Sequence, residues 1–258
     1  MRGIECPCGH HLEGADDEEL FRLAREHVDS DHPDMRRTDE QLRGRIAADA
    51  YDLAAGHGMI TQTPVDVDVL RDEIHKTYTE VSTDPGKDFI FPTGRAWAEV
   101  LGYPQLELAH VPDATVESFA GVANPFALGR PEPGRTVLDL GCGAGTDLLI
   151  AAQMVGPEGR VIGIDMTESM LERAGASAES IGLDVELHQG LIEDLPLPDE
   201  SVDIVMSNGV IDLVPDKDAV FGEMDRVLRP GGRVQIADVV IHTEVSEDAR
   251  TRIDLWTG

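Results

Sequence analysis

The strongest constraint on this chain is one stretch, Val137-Leu138-Asp139-Leu140-Gly141-Cys142-Gly143-Ala144-Gly145-Thr146. A short apolar run ends in an acid, and three glycines at alternate positions lead into a helical pattern. Such a run, bounded by glycine, reads as a buried strand of a sheet covered on both faces. The glycines let the backbone turn sharply and approach a ligand that a Cβ would block. The helix that follows leaves free N–H groups at its start. Strand, glycine turn and helix in that order commit the chain to an α/β layout with a ligand at the strand's carboxyl end. The spacing is G-x-G-x-G, not the G-x-G-x-x-G that seats a pyrophosphate. Asp139 sharpens the distinction, because a carboxylate there suits a ligand with a positive centre and an amino group.

The same rhythm continues downstream. Short apolar runs at 136–140, 160–164, 184–188, 202–207 and 233–240 alternate with helical stretches. Strands separated by helices predict a doubly wound, mostly parallel sheet. Twenty positions past Gly145, the run Val161-Ile162-Gly163-Ile164-Asp165 closes a second strand with another carboxylate. That placement suits bidentate hydrogen bonding to ribose hydroxyls. A strand-end aspartate alone is often only a helix cap. Two such motifs on successive strands point to a nucleoside ligand.

Together these motifs resemble the class I S-adenosylmethionine-dependent methyltransferases. The likeness continues through Gly190-Leu191-Ile192-Glu193-Asp194-Leu195-Pro196 ahead of Ser201-Val202-Asp203, and through Leu228-Arg229-Pro230-Gly231-Gly232 ahead of the fifth strand. It implies a Rossmann-like sheet of seven strands in spatial order 3-2-1-4-5-7-6, with S-adenosylmethionine as cofactor. It places Asp139, Gly141, Gly143 and Gly145 at the methionine moiety and Asp165 on the ribose. Met166, Ile192 and Glu193 would line the adenine pocket, and Asn208 would face the reacting methyl. Methyl transfer from a sulfonium needs in-line alignment and a dry pocket more than a strong acid or base.

Within the class, the chain is similar to arsenite methyltransferases from about Val69 onward. Two stretches carry this: Met154-Val155-Gly156-Pro157-Glu158-Gly159-Arg160-Val161-Ile162-Gly163-Ile164-Asp165-Met166-Thr167, and Ser207-Asn208-Gly209-Val210-Ile211-Asp212-Leu213-Val214-Pro215-Asp216-Lys217. Arsenic chemistry in that family runs on thiolates, soft ligands for a soft metalloid. The expected thiols are replaced here. A Tyr-Gly-Cys-Gly segment becomes Ala120-Gly121-Val122-Ala123, and Gly209 stands where a cysteine follows Ser-Asn. A third cysteine would come after Trp256-Thr257-Gly258, where the chain stops. Cys142, inside the glycine turn, reads as a small packing residue. Arsenite is thus the family label, and the residues predict no arsenite methylation. The alternatives are a small organic acceptor, as in the quinone and sterol enzymes, or a cofactor-binding module without catalysis. Ser207-Asn208-Gly209-Val210 lacks the Asn/Asp-Pro-Pro-aromatic signature of nucleic-acid methylation. Only five of the seven strands can be counted, so the chain is expected to be truncated and to self-associate through an open edge along 233–241.

The first 53 residues differ in texture and read as a small α+β domain, joined by a Gly- and Pro-punctuated linker at 54–65 to the methyltransferase part, 66–258. In that part, 66–128 reads as a helical extension and 129–258 as the Rossmann-like core. Helical spacing from Glu18 to Val28 predicts one N-terminal helix, and Thr38-x-x-Gln41 signals the start of another. Cys6, Cys8, His27 and His32 group soft and imidazole ligands in a short span, although a C-x-C gap is tight for one tetrahedral ion. The segment resembles a small family of metal-binding domains, which implies one metal ion there. His10, His11, His57, His75 and His110 have no matched partner in the pattern and read as surface or packing residues.

Composition then excludes whole classes. Fifty acidic residues stand against 21 basic ones, only three of them lysine (Lys76, Lys87, Lys217), for a net charge of −29. A field of that sign repels nucleic acid and anionic lipid, which leaves a small-molecule substrate. No apolar run approaches the ~20 residues that span a bilayer. Neither a secretory leader nor a disulfide framework is visible, so a cytoplasmic setting is expected. Carboxylate surplus with so little lysine suits a halophile, where salt screens the mutual repulsion.

Overall fold

The chain, seen here as a computed structural model, is described for residues 2–5, 11–32, 37–49, 51–52, 65–87, 89–240, 252–253 and 256. It divides into two compact units, Met1–Gln62 and Thr63–Gly258. In the first, strands β1 (Arg2–Glu5) and β2 (His11–Gly14) pair antiparallel and precede helices α1 (Asp17–Asp31) and α2 (Asp39–Asp49). A short strand β3 (Tyr51–Asp52) joins the other edge of β1. Asp16 caps α1 by accepting the N–H groups of Glu18 and Glu19, ahead of three acids in the first turn. Helix α2 opens on a reciprocal capping box: Thr38 N–H donates to Gln41 at 3.0 Å, and Gln41 N–H to Thr38 Oγ1 at 3.2 Å. Ile4, Leu20, Ala24 and Ile46 make a small apolar core.

The second unit begins with α3 (Val67–Thr83), capped by Asp66 and burying Leu70, Ile74 and Val81 on one face. Three short helices follow, α4 (Arg95–Val100), α5 (Gln105–Leu108) and α6 (Asp113–Val116). The α/β core then runs β4 (Thr136–Leu140), α7 (Thr146–Val155), β5 (Arg160–Asp165), α8 (Glu168–Ser180), β6 (Glu186–Gln189), β7 (Val202–Asn208), α9 (Lys217–Val227) and β8 (Leu228–Ala237). The sheet order is β6-β5-β4-β7-β8, with every pairing parallel. In order of appearance that is 3-2-1-4-5, as the resemblance implied. The order reverses between β4 and β7, so the crevice for a ligand lies at their carboxyl ends.

Alternate residues of β4 feed opposite layers. Val137 packs with α7 residues Leu148, Leu149 and Ile150, whereas Leu138 and Leu140 pack with Ile162, Val205 and Met224. Helix α7 is apolar and buried nearly all round, which marks it as an interior layer.

Two strands differ from expectation. The fifth starts earlier and ends sooner than 233–240, because Leu228 already pairs with Val202. The register then slips between Val202 and Ile204, and Ile204 pairs with Arg233, so Arg229-Pro230-Gly231-Gly232 is absorbed as an irregularity inside β8. Strand β6 is shifted toward its carboxyl end because Asp165 pairs with Gln189. The linker 54–65, apart from Val65, and Ile241 at the end of the expected open edge lie outside the described residues. No described helix is long and apolar enough to cross a membrane.

Candidate active site

The carboxyl ends of β4, β5 and β7 open into one cavity. The glycine turn after β4 forms its floor. Gly141 has φ +65°, and a Cβ there would run into the side chain of Val210, beyond β7. The loops from the two sides of the crevice therefore meet at a position only glycine fills. Gly143, at φ +51°, turns its N–H onto Asp165 Oδ2 at 2.8 Å. Gly145 backs onto Ala174 of α8, 3.0 Å from where its Cβ would sit, and opens α7. The glycines thus serve packing and backbone geometry as much as ligand approach.

Asp165 closes β5. Its other oxygen accepts the N–H of Thr167 at 2.8 Å, so both oxygens are oriented by backbone donors. Burial pushes its carboxyl up, against those hydrogen bonds. Asp139 is buried beneath the turn, with one oxygen reached by the Leu148 N–H and Oδ2 sealed without a partner. Burial raises it well above the usual carboxylate range, and Asp147 and Asp165 nearby add to the shift. Met166, Ile192 and Glu193 line the same cavity. Glu193 is held by Arg71 of α3 at 3.0 Å, a tie between the helical extension and the loop after β6.

Asn208 lines the cavity at the end of β7, and its amide is fully engaged. Oδ1 accepts the N–H groups of Val122 and Ala123 at 2.8 and 3.3 Å. Nδ2 contacts the Tyr103 hydroxyl, the Ala123 carbonyl and Asp147 Oδ2 at 2.8–2.9 Å. Its visible work is to pin the 121–123 stretch to the sheet. Gly121 permits this, since a Cβ there would overlap the Asn208 amide. Sequence reasoning missed Asp147, Tyr103 and Arg71. For Asp147 a signal existed: an acid on a helix otherwise apolar all round has to be paired or put to use. Burial pushes its carboxyl up to about 6, with hydrogen bonds from Asn208 and Tyr103 opposing.

Among the described residues that line the cavity there are four carboxylates, Asp139, Asp147, Asp165 and Glu193, and no lysine, arginine or histidine. The orphaned oxygen of Asp139 and this one-sided charge fit S-adenosylmethionine, whose methionine end carries a sulfonium and an ammonium. A pyrophosphate has no cation to meet it. In the N-terminal unit, Cys6 and Cys8 lie outside the described residues. His27 and His32 come together edge to face, ring centroids 5.0 Å apart. No group of three or more His, Cys, Asp or Glu among the described residues is placed to hold a metal ion.

Comparison with known proteins agrees with this geometry. Residues 131–256 match the family described as methyltransferase domain. The arsenite methyltransferase of Halobacterium salinarum is 46% identical over 167 residues, covering 64% of this chain and 42% of the relative. That of Mus musculus is 43% identical over 130 residues, 46% of this chain and 35% of the relative. The chain thus spans under half the length of these curated relatives. A solved arsenic(III) S-adenosylmethionine methyltransferase from Chlamydomonas reinhardtii superposes with a TM-score of 0.53 at 38% identity, covering 56% of this chain and 51% of that one.

The glycine turn, the strand-end acids and the parallel sheet of residues 131–256 are those of a class I S-adenosylmethionine-dependent methyltransferase domain. Within that class the likeness runs to the arsenite methyltransferases.

Proposed function

We propose that this chain transfers a methyl group from S-adenosylmethionine to a small-molecule acceptor, as a methyltransferase of the arsenite type. The observation that carries the reading is the cavity at the carboxyl ends of β4, β5 and β7, lined, among the described residues, by carboxylates and by no basic side chain. When bound, the cofactor supplies an electrophilic methyl on a positively charged sulfur. The protein's part is to bind, orient and exclude water. Asp139 and the turn 141–145 take the methionine end, Asp165 the ribose, and Met166, Ile192 and Glu193 the base. Asn208 acts by holding the Val122 and Ala123 N–H groups, and with them the adjoining Gly121 that lines the cavity, not as a base.

The acceptor side is framed by Ala120, Gly121 and Gly209. A Cβ on Gly209 would come within 3.2 Å of Val122 Cγ1, so the two positions where thiols would grip arsenic face each other and carry none. That observation favours the second reading, an organic acceptor seated by shape and apolar contact. A cytoplasmic, salt-rich setting is the further part of this reading, supported by the net charge of −29 and the likeness to a Halobacterium relative.

The deciding experiment supplies methyl-labelled cofactor with arsenite and glutathione, and in parallel with extracts of small organic metabolites. Label is expected to enter organic products, with no methylarsenicals above a no-enzyme control. Methylarsenicals would make arsenite the acceptor. Cofactor binding without any transfer would make the chain a non-catalytic module.

A further inference from the structure

The chain holds only eleven aromatic residues, six Phe, three Tyr and two Trp. Eight of them gather around the cavity. Tyr78 on α3 and Phe119 line it. Behind Tyr78 the Phe91 ring stacks at 6.3 Å between centroids and 17° between planes, and Phe89 stacks on Phe91 at 5.6 Å and 13°. Behind Phe119 the Tyr103 ring stands edge to face at 5.1 Å, and Phe126 meets Tyr103 at 6.1 Å. Trp97 donates its indole N–H to the Gly121 carbonyl at 2.8 Å. Trp256 packs with Ile74 and Leu213, which line the cavity. The other three lie apart: Phe21 and Tyr51 belong to the first unit, and Phe221 is half exposed on α9.

The core around Leu138 and Leu140 is packed, among the described residues, by Leu, Ile, Val and Met alone, so the fold does not need rings to fill its interior. The two lining rings come from separate groups, each backed by further rings, and neither swings aside without displacing its neighbours. Both groups meet at the acceptor side. Phe119 adjoins Ala120 and Gly121, and Gly94, just past Phe89 and Phe91, donates its N–H to the Phe119 carbonyl at 2.9 Å. Charge narrows the guest further. The charged lining, among the described residues, is carboxylate, which disfavours an anion. The cofactor brings its own cation, which disfavours a second one beside it.

We propose that the methyl acceptor is a flat, uncharged aromatic molecule held against the rings of Tyr78 and Phe119. The inference rests on the reading of the cavity as a site for S-adenosylmethionine and an organic acceptor. Offset or edge-to-face contact with a fixed ring favours a flat guest over a puckered one of the same size. An aliphatic wall would make no such distinction.

Calorimetry on the full chain at pH 7 tests this, first with S-adenosylmethionine and then with three probes after S-adenosylhomocysteine has filled the cofactor end. The probe 2-naphthol is flat and uncharged, decahydro-2-naphthol is its puckered counterpart, and 2-naphthoate is flat and anionic. The unaltered protein should bind one 2-naphthol per chain, and each of the other two about tenfold more weakly. Phe119→Leu keeps the site apolar but removes a ring, so it should bring 2-naphthol to within about threefold of the saturated probe. Equal affinity for the flat and saturated probes, equal affinity for 2-naphthol and 2-naphthoate, or no saturable binding of 2-naphthol overturns the proposal. An unmoved preference in Phe119→Leu overturns it too. Should that variant not fold, the three probes on the unaltered protein decide. Each of these outcomes leaves the cofactor site standing where S-adenosylmethionine binds. A chain that does not bind S-adenosylmethionine overturns the reading of the cavity, and this inference with it.

Discussion

Both oxygens of Asp165 already accept a backbone N–H, from Gly143 and from Thr167. That fixes the carboxylate at the end of β5 and leaves each oxygen a lone pair for a ribose hydroxyl. Asp165→Ala should weaken S-adenosylmethionine binding by ~1.5–3 kcal/mol, the scale of hydrogen bonds to a charged group. Unchanged affinity in a calorimetric titration would remove Asp165 from the ribose. The place of Asp165 in the cavity was legible in the sequence because it closes the second of two successive apolar strands that both carry a strand-end acid, the first leading into the glycine turn. Asp147 was passed over despite its apolar surroundings, because an acid in the first turn of a helix has an ordinary explanation in the helix dipole. Only the burial of α7 on its remaining sides removes that explanation. The glycines were readable as a turn, but their reasons were not. That Gly141 yields to Val210, 69 positions on, is a tertiary fact which local pattern does not contain.

At the scale of elements, Asn208 ties β7 to the 121–123 stretch through three contacts of its amide, and to Tyr103 and Asp147 through two more. Asn208→Ala leaves the Val122 and Ala123 N–H groups and Asp147 without their partner, which costs about 1–3 kcal/mol per buried group left unsatisfied. Faster hydrogen exchange at the Val122 and Ala123 amides is the expected signature, together with a lower Tm. Unchanged protection of both amides would mean that the stretch is held by its packing alone. The strands themselves were well foretold from 136 to 207, where apolar runs are short and bounded by turn residues. The fifth was misplaced because Pro and two glycines read as a loop, whereas pairing with β7 carries the chain through them in a bulged register. The helical extension was recognisable as helical. Its tie to the cavity through Arg71 and Glu193 was not, since a separation of 122 residues leaves no local trace.

For the molecule as a whole, buried acids make stability depend on pH in an unusual direction. Burial raises Asp139 and Asp165, and takes Asp147 to about 6 and Asp212, beside Asp238, to about 7. An acid with a raised folded-state pKa binds its proton more tightly in the folded chain, so its contribution is complete below ~4 and is lost as pH rises through the folded value. Glu223, held low by Arg226, and Glu186, held low by His188, act oppositely and lose their contribution only at more acid pH. The ligand-free protein should therefore show its highest Tm near pH ~5 and a falling Tm from there to pH 8, with self-repulsion from the surplus acids adding to the fall. A Tm that rises across that interval would contradict the placement of these acids. The carboxylates around the cavity also bear on competition inside a cell. ATP, ADP and the nicotinamide dinucleotides present the same adenosine and are abundant, yet each arrives carrying phosphates into a cavity whose charged lining, among the described residues, is carboxylate. The charge of the lining therefore works against the most plentiful lookalikes before any test of shape.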